Sequence, residues 1–202
     1  MYRYLFSIWV SSCLVLNLKA QPTFGTQSFI SAENGVLTVF AAGKYAPLLV
    51  SSADWPGVIR AFRDLQNDIG KVTSSAPEFF TDKAPKTREL IIAGTIGKSR
   101  LIDGLIKKKK IDVGDVEGKW EAFLIQVVDK PMKGVKKALV IAGSDKRGTI
   151  YGIYEVSRQI GVSPWYWWAD VTPDHKNALY SLPIRYVQGS PSVKYRGIFL
   201  ND

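Results

Sequence analysis

Ala138-Leu139-Val140-Ile141-Ala142 runs without a break into Gly143-Ser144-Asp145 and then into Lys146 to Ile160. A short apolar run rich in branched residues reads as a strand buried on both faces. Beyond it, Asp145 or Ser144 caps a helix on which Ile150, Ile153, Val156 and Ile160 share one side. Gly148 and Gly152 stand on a neighbouring stripe, and each costs a helix roughly 1 kcal/mol relative to alanine. A second element packed close against the helix is the simplest offset; a ligand role for Lys146 or Arg147 is the alternative. The pattern recurs upstream. Glu89 to Ala93 is a strand, and Ser99 to Lys110 is a helix that ends in four lysines, where the helix dipole favours cations. Tyr45 to Val50 is a further strand. Ser51-Ser52-Ala53-Asp54 starts a helix with Pro56 in its first turn, Val58, Phe62, Leu65 and Ile69 repeat at helical spacing, and Gly70 ends it. Phe29 to Phe40 reads as two strand pieces turning at Asn34-Gly35, and Trp120 to Val128 as another strand. Strand–helix alternation predicts an α/β fold, a mixed sheet covered by helices.

Composition narrows the chemistry. The 202 residues are 46% apolar and 22% charged, ordinary for a globular chain. The formal charge is +9, spread along the sequence, which does not read as a nucleic-acid footprint. Cys13 is the only cysteine and His175 the only histidine. That excludes a disulfide framework and argues against structural zinc, a cysteine nucleophile and a histidine-rich metal centre. No cofactor is expected. His175 lies in a Pro-Asp-His-Lys turn and reads as solvated surface.

The two ends predict a longer, exported protein. Residues 1–20 read as a signal peptide: Arg3 supplies charge, Leu5 to Leu18 is mostly apolar, and Ala20 gives a small residue at the cut site. The run is too short for a spanning helix. A lipoprotein box ending at Cys13 and a buried first strand are the alternatives. At the other end, Val193 to Leu200 reads as a strand that stops at Asn201-Asp202 with no turn or partner, which predicts that more chain follows.

Two runs carry candidate sites. Ala93-Gly94-Thr95-Ile96-Gly97-Lys98-Ser99 has the strand, Gly-Lys-Ser and helix of a phosphate loop, but only two residues separate its glycines where the loop needs four. It reads as a strand-to-helix turn, with no nucleotide expected. Pro164-Trp165-Tyr166-Trp167-Trp168-Ala169-Asp170 places four aromatics in a row, outside any clear period. Flat rings with polar handles suit the faces of sugars, and Asp170 would accept from hydroxyls. A hydrophobic plug at a domain boundary is the equal alternative.

Ser144-Asp145-Lys146-Arg147-Gly148-Thr149-Ile150-Tyr151-Gly152-Ile153-Tyr154, then Gly161 to Val171, then Tyr195-Arg196-Gly197-Ile198-Phe199-Leu200-Asn201-Asp202, resemble the N-terminal part of glycoside hydrolase family 115, the exported xylan α-glucuronidases. Ile92 to Ser99 resembles it too. The resemblance runs over essentially all of the chain after residue 20. It implies an α/β N-terminal domain of the glycosidase type over 21–163 and the first strand of a truncated (β/α)8 barrel over 192–202; between them 164–191, rich in aromatics and turn residues, reads as a linker. It implies removal of glucuronic acid or 4-O-methylglucuronic acid from xylan side chains, with inversion and without a metal. Inversion needs an acid and a base about 6.5–9.5 Å apart. In the family both come from the barrel, so no catalytic residue is expected in this chain. Substrate-binding candidates are Trp167, Trp168 and Asp170, with Asn201 and Asp202 at the C-terminal end of the barrel strand, where such pockets lie. The partner implied is glucuronoxylan, bound through a full-length enzyme whose homodimerisation is left open. The competing readings are a non-catalytic carbohydrate-binding or scaffold module and the N-terminal domain of another barrel glycosidase.

Overall fold

The structure, a computed structural model, describes residues 27–197. The expected signal peptide, 1–20, and the candidates Asn201 and Asp202 lie outside the described residues. In chain order the elements are β1 (Ile30–Ser31), β2 (Leu37–Ala41), β3 (Lys44–Tyr45), β4 (Leu48–Val50), α1 (Pro56–Thr73), β5 (Phe79–Thr81), β6 (Glu89–Thr95), α2 (Arg100–Lys107), β7 (Phe123–Asp129), β8 (Lys137–Gly143), α3 (Lys146–Ile160), α4 (Tyr166–Ala169), β9 (Ala178–Ser181) and β10 (Arg185–Gln188).

Six strands form a mixed sheet in the order β10-β7-β8-β6-β4-β5. Strands β8, β6, β4 and β5 run parallel, and β7 and β10 run against their neighbours. The apolar runs of β6 and β8 are buried on both faces because helices cover both sides. Their side chains alternate accordingly. Ile91, Ala93, Leu139 and Ile141 join the core under α1 and α3. Leu90, Ile92, Ala138 and Val140 join a second core with Ile102 and Leu105 of α2. The expected α/β layering is present. A smaller antiparallel sheet, β1-β9-β2-β3, closes the α1–α3 side.

Local departures from the sequence reading have physical causes. Asn34-Gly35 does not join a hairpin: β9 inserts between β1 and β2 and pairs with both. Gly35 is there for close approach, since a Cβ would stand 2.5 Å from the Ser181 carbonyl oxygen. Helix α1 starts at Pro56 with Trp55 at its N-cap and passes Gly70 to end before Ser74, which takes a left-handed conformation (φ 59°). The strand expected from Trp120 begins at Phe123, because Glu121 is itself left-handed (φ 55°). The 164–191 segment, read as a linker, supplies α4, β9 and β10. No strand is formed over 192–197.

Candidate functional site

The Ser144-Asp145-Lys146-Arg147-Gly148 run works as a clasp between α3 and the loop before β7. Asp145 Oδ1 accepts from the Gly148 N–H at 2.7 Å, capping α3, while Oδ2 accepts from the Glu121 N–H at 2.9 Å. The Ser144 hydroxyl donates to the Ala122 carbonyl and accepts from the Ala122 N–H, both at 3.0 Å. Gly148 lies against the same carbonyl, which a Cβ would approach to 2.3 Å; at Gly152 a Cβ would meet Ile141 at 2.8 Å. The glycine stripe is therefore a packing device. Arg147, weighed as a ligand group, bridges to Glu121 at 2.9 Å.

Beside this clasp opens a cleft of about 860 Å³. One wall is α3, which presents Tyr151, Tyr154, Glu155 and Arg158 at helical spacing. The others are the 162–166 turn and the 188–196 segment. Glu155 is 4% exposed and takes a two-pronged hydrogen bond from Arg158, at 2.8 Å from Nε and 2.7 Å from the terminal nitrogen. That contact, first among its causes, raises the guanidinium pKa above its ordinary value. Tyr154 donates to Asp64 at 2.9 Å. Burial, and then this bond, push its phenol up to about 12. Lys71 stands 4.2 Å over the Tyr166 ring and pairs with Asp68 at 3.0 Å.

The far wall is held by Arg196. Its guanidinium pairs with the buried Glu121, reaches the Tyr151 hydroxyl at 3.4 Å and donates to the Val193 carbonyl at 2.6 Å. Arg147 donates to the same tyrosine hydroxyl at 3.0 Å. Glu121 thus joins α3 to the 193–196 segment through two arginines, and the contact with Glu121 is first among the causes that raise the Arg196 pKa.

Chemically the cleft offers aromatic faces, guanidinium edges and small polar groups such as Gln188, Ser190 and Ser192. Rings with polar rims suit sugars. Its two carboxylates, Asp68 and Glu155, are each committed to an ion pair. The arrangement fits stacking and hydrogen bonding rather than proton transfer. Among the described residues, no group of three or more His, Cys, Asp or Glu could hold a metal ion.

Of the sequence candidates within the described residues, Trp168 and Asp170 are not among the residues that line the cleft. Trp167 and Trp168 lie in α4, directly after Tyr166, which enters the cleft. Trp168 is 77% exposed and Trp165 61% exposed. Asp170 caps α4 in a left-handed conformation (φ 50°) and is exposed. The α3 stripe and the Glu121–Arg196 pair were not singled out from sequence. The stripe's signal was the polar side of α3, opposite Ile153 and Ile160. The pair joins positions 75 apart in sequence and left none.

The glycine loop after β6 is closed on itself. The N–H groups of Lys98 and Ser99 donate to the Thr95 carbonyl, that of Gly97 to Asp103, and that of Ile96 to the Gly143 carbonyl. Asp54, read as part of a helix start, instead accepts from both the N–H and hydroxyl of Thr95, at 2.7 and 2.8 Å. It ties the ends of β4 and β6 together.

No protein-family model matches the chain, and no curated protein matches it. Among solved structures, it is similar to a family GH115 4-O-methyl-α-glucuronidase with specificity for decorated arabinogalactans: 38% identity, TM-score 0.59, over 74% of this chain and 18% of that one. A GH84 structure aligns at 9% identity and TM-score 0.46, over 82% of this chain and 24% of the other. The chain therefore spans less than a fifth of the length of its family-115 neighbour. At 38% identity over 74% of its length, with the mixed α/β architecture in place, this chain is a relative of glycoside hydrolase family 115.

Proposed function

We propose that this chain is the N-terminal part of an exported, inverting α-1,2-glucuronidase that removes glucuronic acid or 4-O-methylglucuronic acid from xylan side chains. Alone it is inactive. The observation that carries this reading is the 38% identity to a 4-O-methyl-α-glucuronidase over 74% of the chain. The short share of that neighbour which the chain spans supports the placement of the acid and base elsewhere. Both carboxylates of the cleft are occupied by cations, which agrees with a supporting role. Trp167, Trp168 and Asp170, which follow Tyr166 of the cleft in the chain, belong in this reading to the boundary with the catalytic barrel, near the sugar pocket. The chain enters the barrel through 192–202, and Asn201 and Asp202 line the pocket.

Reading the gene past codon 202, together with N-terminal sequencing of the exported protein, tests the proposal. Several hundred further residues with alternating strand and helix periods, and a mature protein beginning near Gln21, are expected. A stop codon at that point would remove the enzyme reading and favour a carbohydrate-binding module. Exported material that retains Met1 would remove the signal peptide.

A further inference from the structure

The chain's positive excess is spread in sequence but gathered in space. Strands β6 and β8 start side by side, Glu89 opposite Lys137, and β7 ends there with Asp129 opposite Lys137. The N–H groups of Lys136 and Lys137 both donate to the Arg88 carbonyl, at 2.7 and 3.1 Å, and that of Lys130 donates to the Lys136 carbonyl at 2.8 Å. The turn between them carries Lys133. Helix α2 delivers its exposed C-terminal run, Lys107 to Lys110, to the same end: the Asp129 carboxyl is held below its usual value first by Lys137, and also by Lys130 and Lys110. Arg88, Lys107 to Lys110, Lys130, Lys133, Lys136 and Lys137 gather at this end, with Asp129 and Glu89 among them. Asp129 is paired with Lys137 at 2.8 Å, and Glu89 accepts from the Thr38 N–H at 3.2 Å.

Like charges gathered on one face repel each other, and a polyanion relieves that repulsion. We propose that this lysine edge is a docking surface for a polysaccharide that carries uronate carboxylates. The polyanion surface rests on charge placement alone; the choice of a uronate glycan rests on the glucuronidase reading above. Two features favour a glycan over nucleic acid. The cations are lysines with a single arginine, point charges rather than the planar forks that grip phosphate in pairs. Among the described residues, no exposed aromatic stands with them to stack a base; the exposed rings there are Trp55, Tyr154, Trp165, Trp168 and Tyr195. Lysines on flexible stems suit carboxylates spaced irregularly along a chain. The edge would hold a decorated polymer near the enzyme through many weak contacts, with a strong salt dependence.

Affinity electrophoresis of the purified chain through gels containing glucuronoxylan tests this. The control polymer is the same glucuronoxylan with its carboxyls reduced to alcohols. Retardation by the native polymer that fades with salt, and none by the reduced polymer, is expected. Lys110→Gln/Lys133→Gln/Lys136→Gln should weaken binding by roughly tenfold. Lys44→Gln/Lys98→Gln/Lys119→Gln, which removes the same charge elsewhere, should leave it unchanged. Equal retardation by the reduced polymer, equal loss in both variants, or tighter binding of double-stranded DNA than of the uronate polymer would each overturn the proposal. The readout is binding by this chain, so a full-length product without glucuronidase activity would remove the enzyme reading and leave this result standing.

Discussion

Replacing Gly148 with alanine in α3 sets two effects against each other, and the structure decides the sign. In an open helix the change stabilises by about 1 kcal/mol, because alanine loses less conformational freedom. At position 148 the new Cβ would meet the Ala122 carbonyl oxygen at 2.3 Å and the Ala122 carbonyl carbon and nitrogen at 3.1 Å. These are backbone atoms, held in place by Ser144 through three hydrogen bonds, so no side chain can turn aside. Forcing the helix off the β7 entry has an overpacking cost typically of about 1–3 kcal/mol, and it loosens the Asp145 clasp, at about 1 kcal/mol for each hydrogen bond weakened. The net expectation for Gly148→Ala is a loss of roughly 2 kcal/mol. Gly104, in α2, is the internal control. A Cβ there meets nothing within 4 Å, so Gly104→Ala should gain up to about 1 kcal/mol. Urea unfolding of the purified chain, followed by circular dichroism, measures both. If Gly148→Ala is as stable as the unmodified chain, or the two variants shift in the same direction, the close approach of α3 to Ala122 is not what the glycine serves.

Three further outcomes follow from the cleft and from α4. Trp168→Ala should change stability by less than about 0.5 kcal/mol, since the ring is exposed; a loss of roughly 3–5 kcal/mol would make it a core plug instead. Glu121→Gln removes the charge shared by Arg147 and Arg196. Trypsin should then cut after Lys194 and Arg196 markedly faster, and unchanged protection would show that the pair does not hold the segment. The Tyr154 phenol, raised to about 12 from an ordinary 10, stabilises the folded chain fully below pH 10, and that contribution is lost as pH climbs through 12. The tyrosinate difference spectrum between the chain and Tyr154→Phe should show the high midpoint, and Asp64→Asn should lower it; a midpoint near 10 in the unmodified chain would contradict the burial and the bond to Asp64.

The sequence was most legible where one periodicity ruled. The apolar runs of β6 and β8 and the Ile150–Ile160 stripe of α3 announce buried parallel strands and a one-sided helix, and Lys146–Ile160 is helical as expected. The Asn34-Gly35 signal misled because a glycine serves a turn and a close approach equally well, and the approaching strand, β9, comes more than 140 residues later. A separation in sequence also hid β10 at the edge of the large sheet, where Arg185 pairs with Gln126 of β7. The aromatic run points to Trp168, while the rings that line the cleft include Tyr166 of the same run, Tyr151 and Tyr154 of α3 and Phe123 of β7. A row of four aromatics says that large rings are present, and no period in it says that Tyr166 lines a cleft while Trp165 and Trp168 are exposed. The lysines, read as spread, are gathered because a β7–β8 turn, the start of β6 and the end of α2 share one edge of the sheet.

The central claim is that this α/β chain supports a glucuronidase whose catalytic groups lie elsewhere. Release of glucuronic acid and 4-O-methylglucuronic acid from glucuronoxylan, measured side by side for the product of the whole reading frame and for residues 21–202, tests it most directly. The account predicts steady release by the whole product and none by the chain alone. Release at enzyme-like rates by residues 21–202, or none by the whole product, would contradict it.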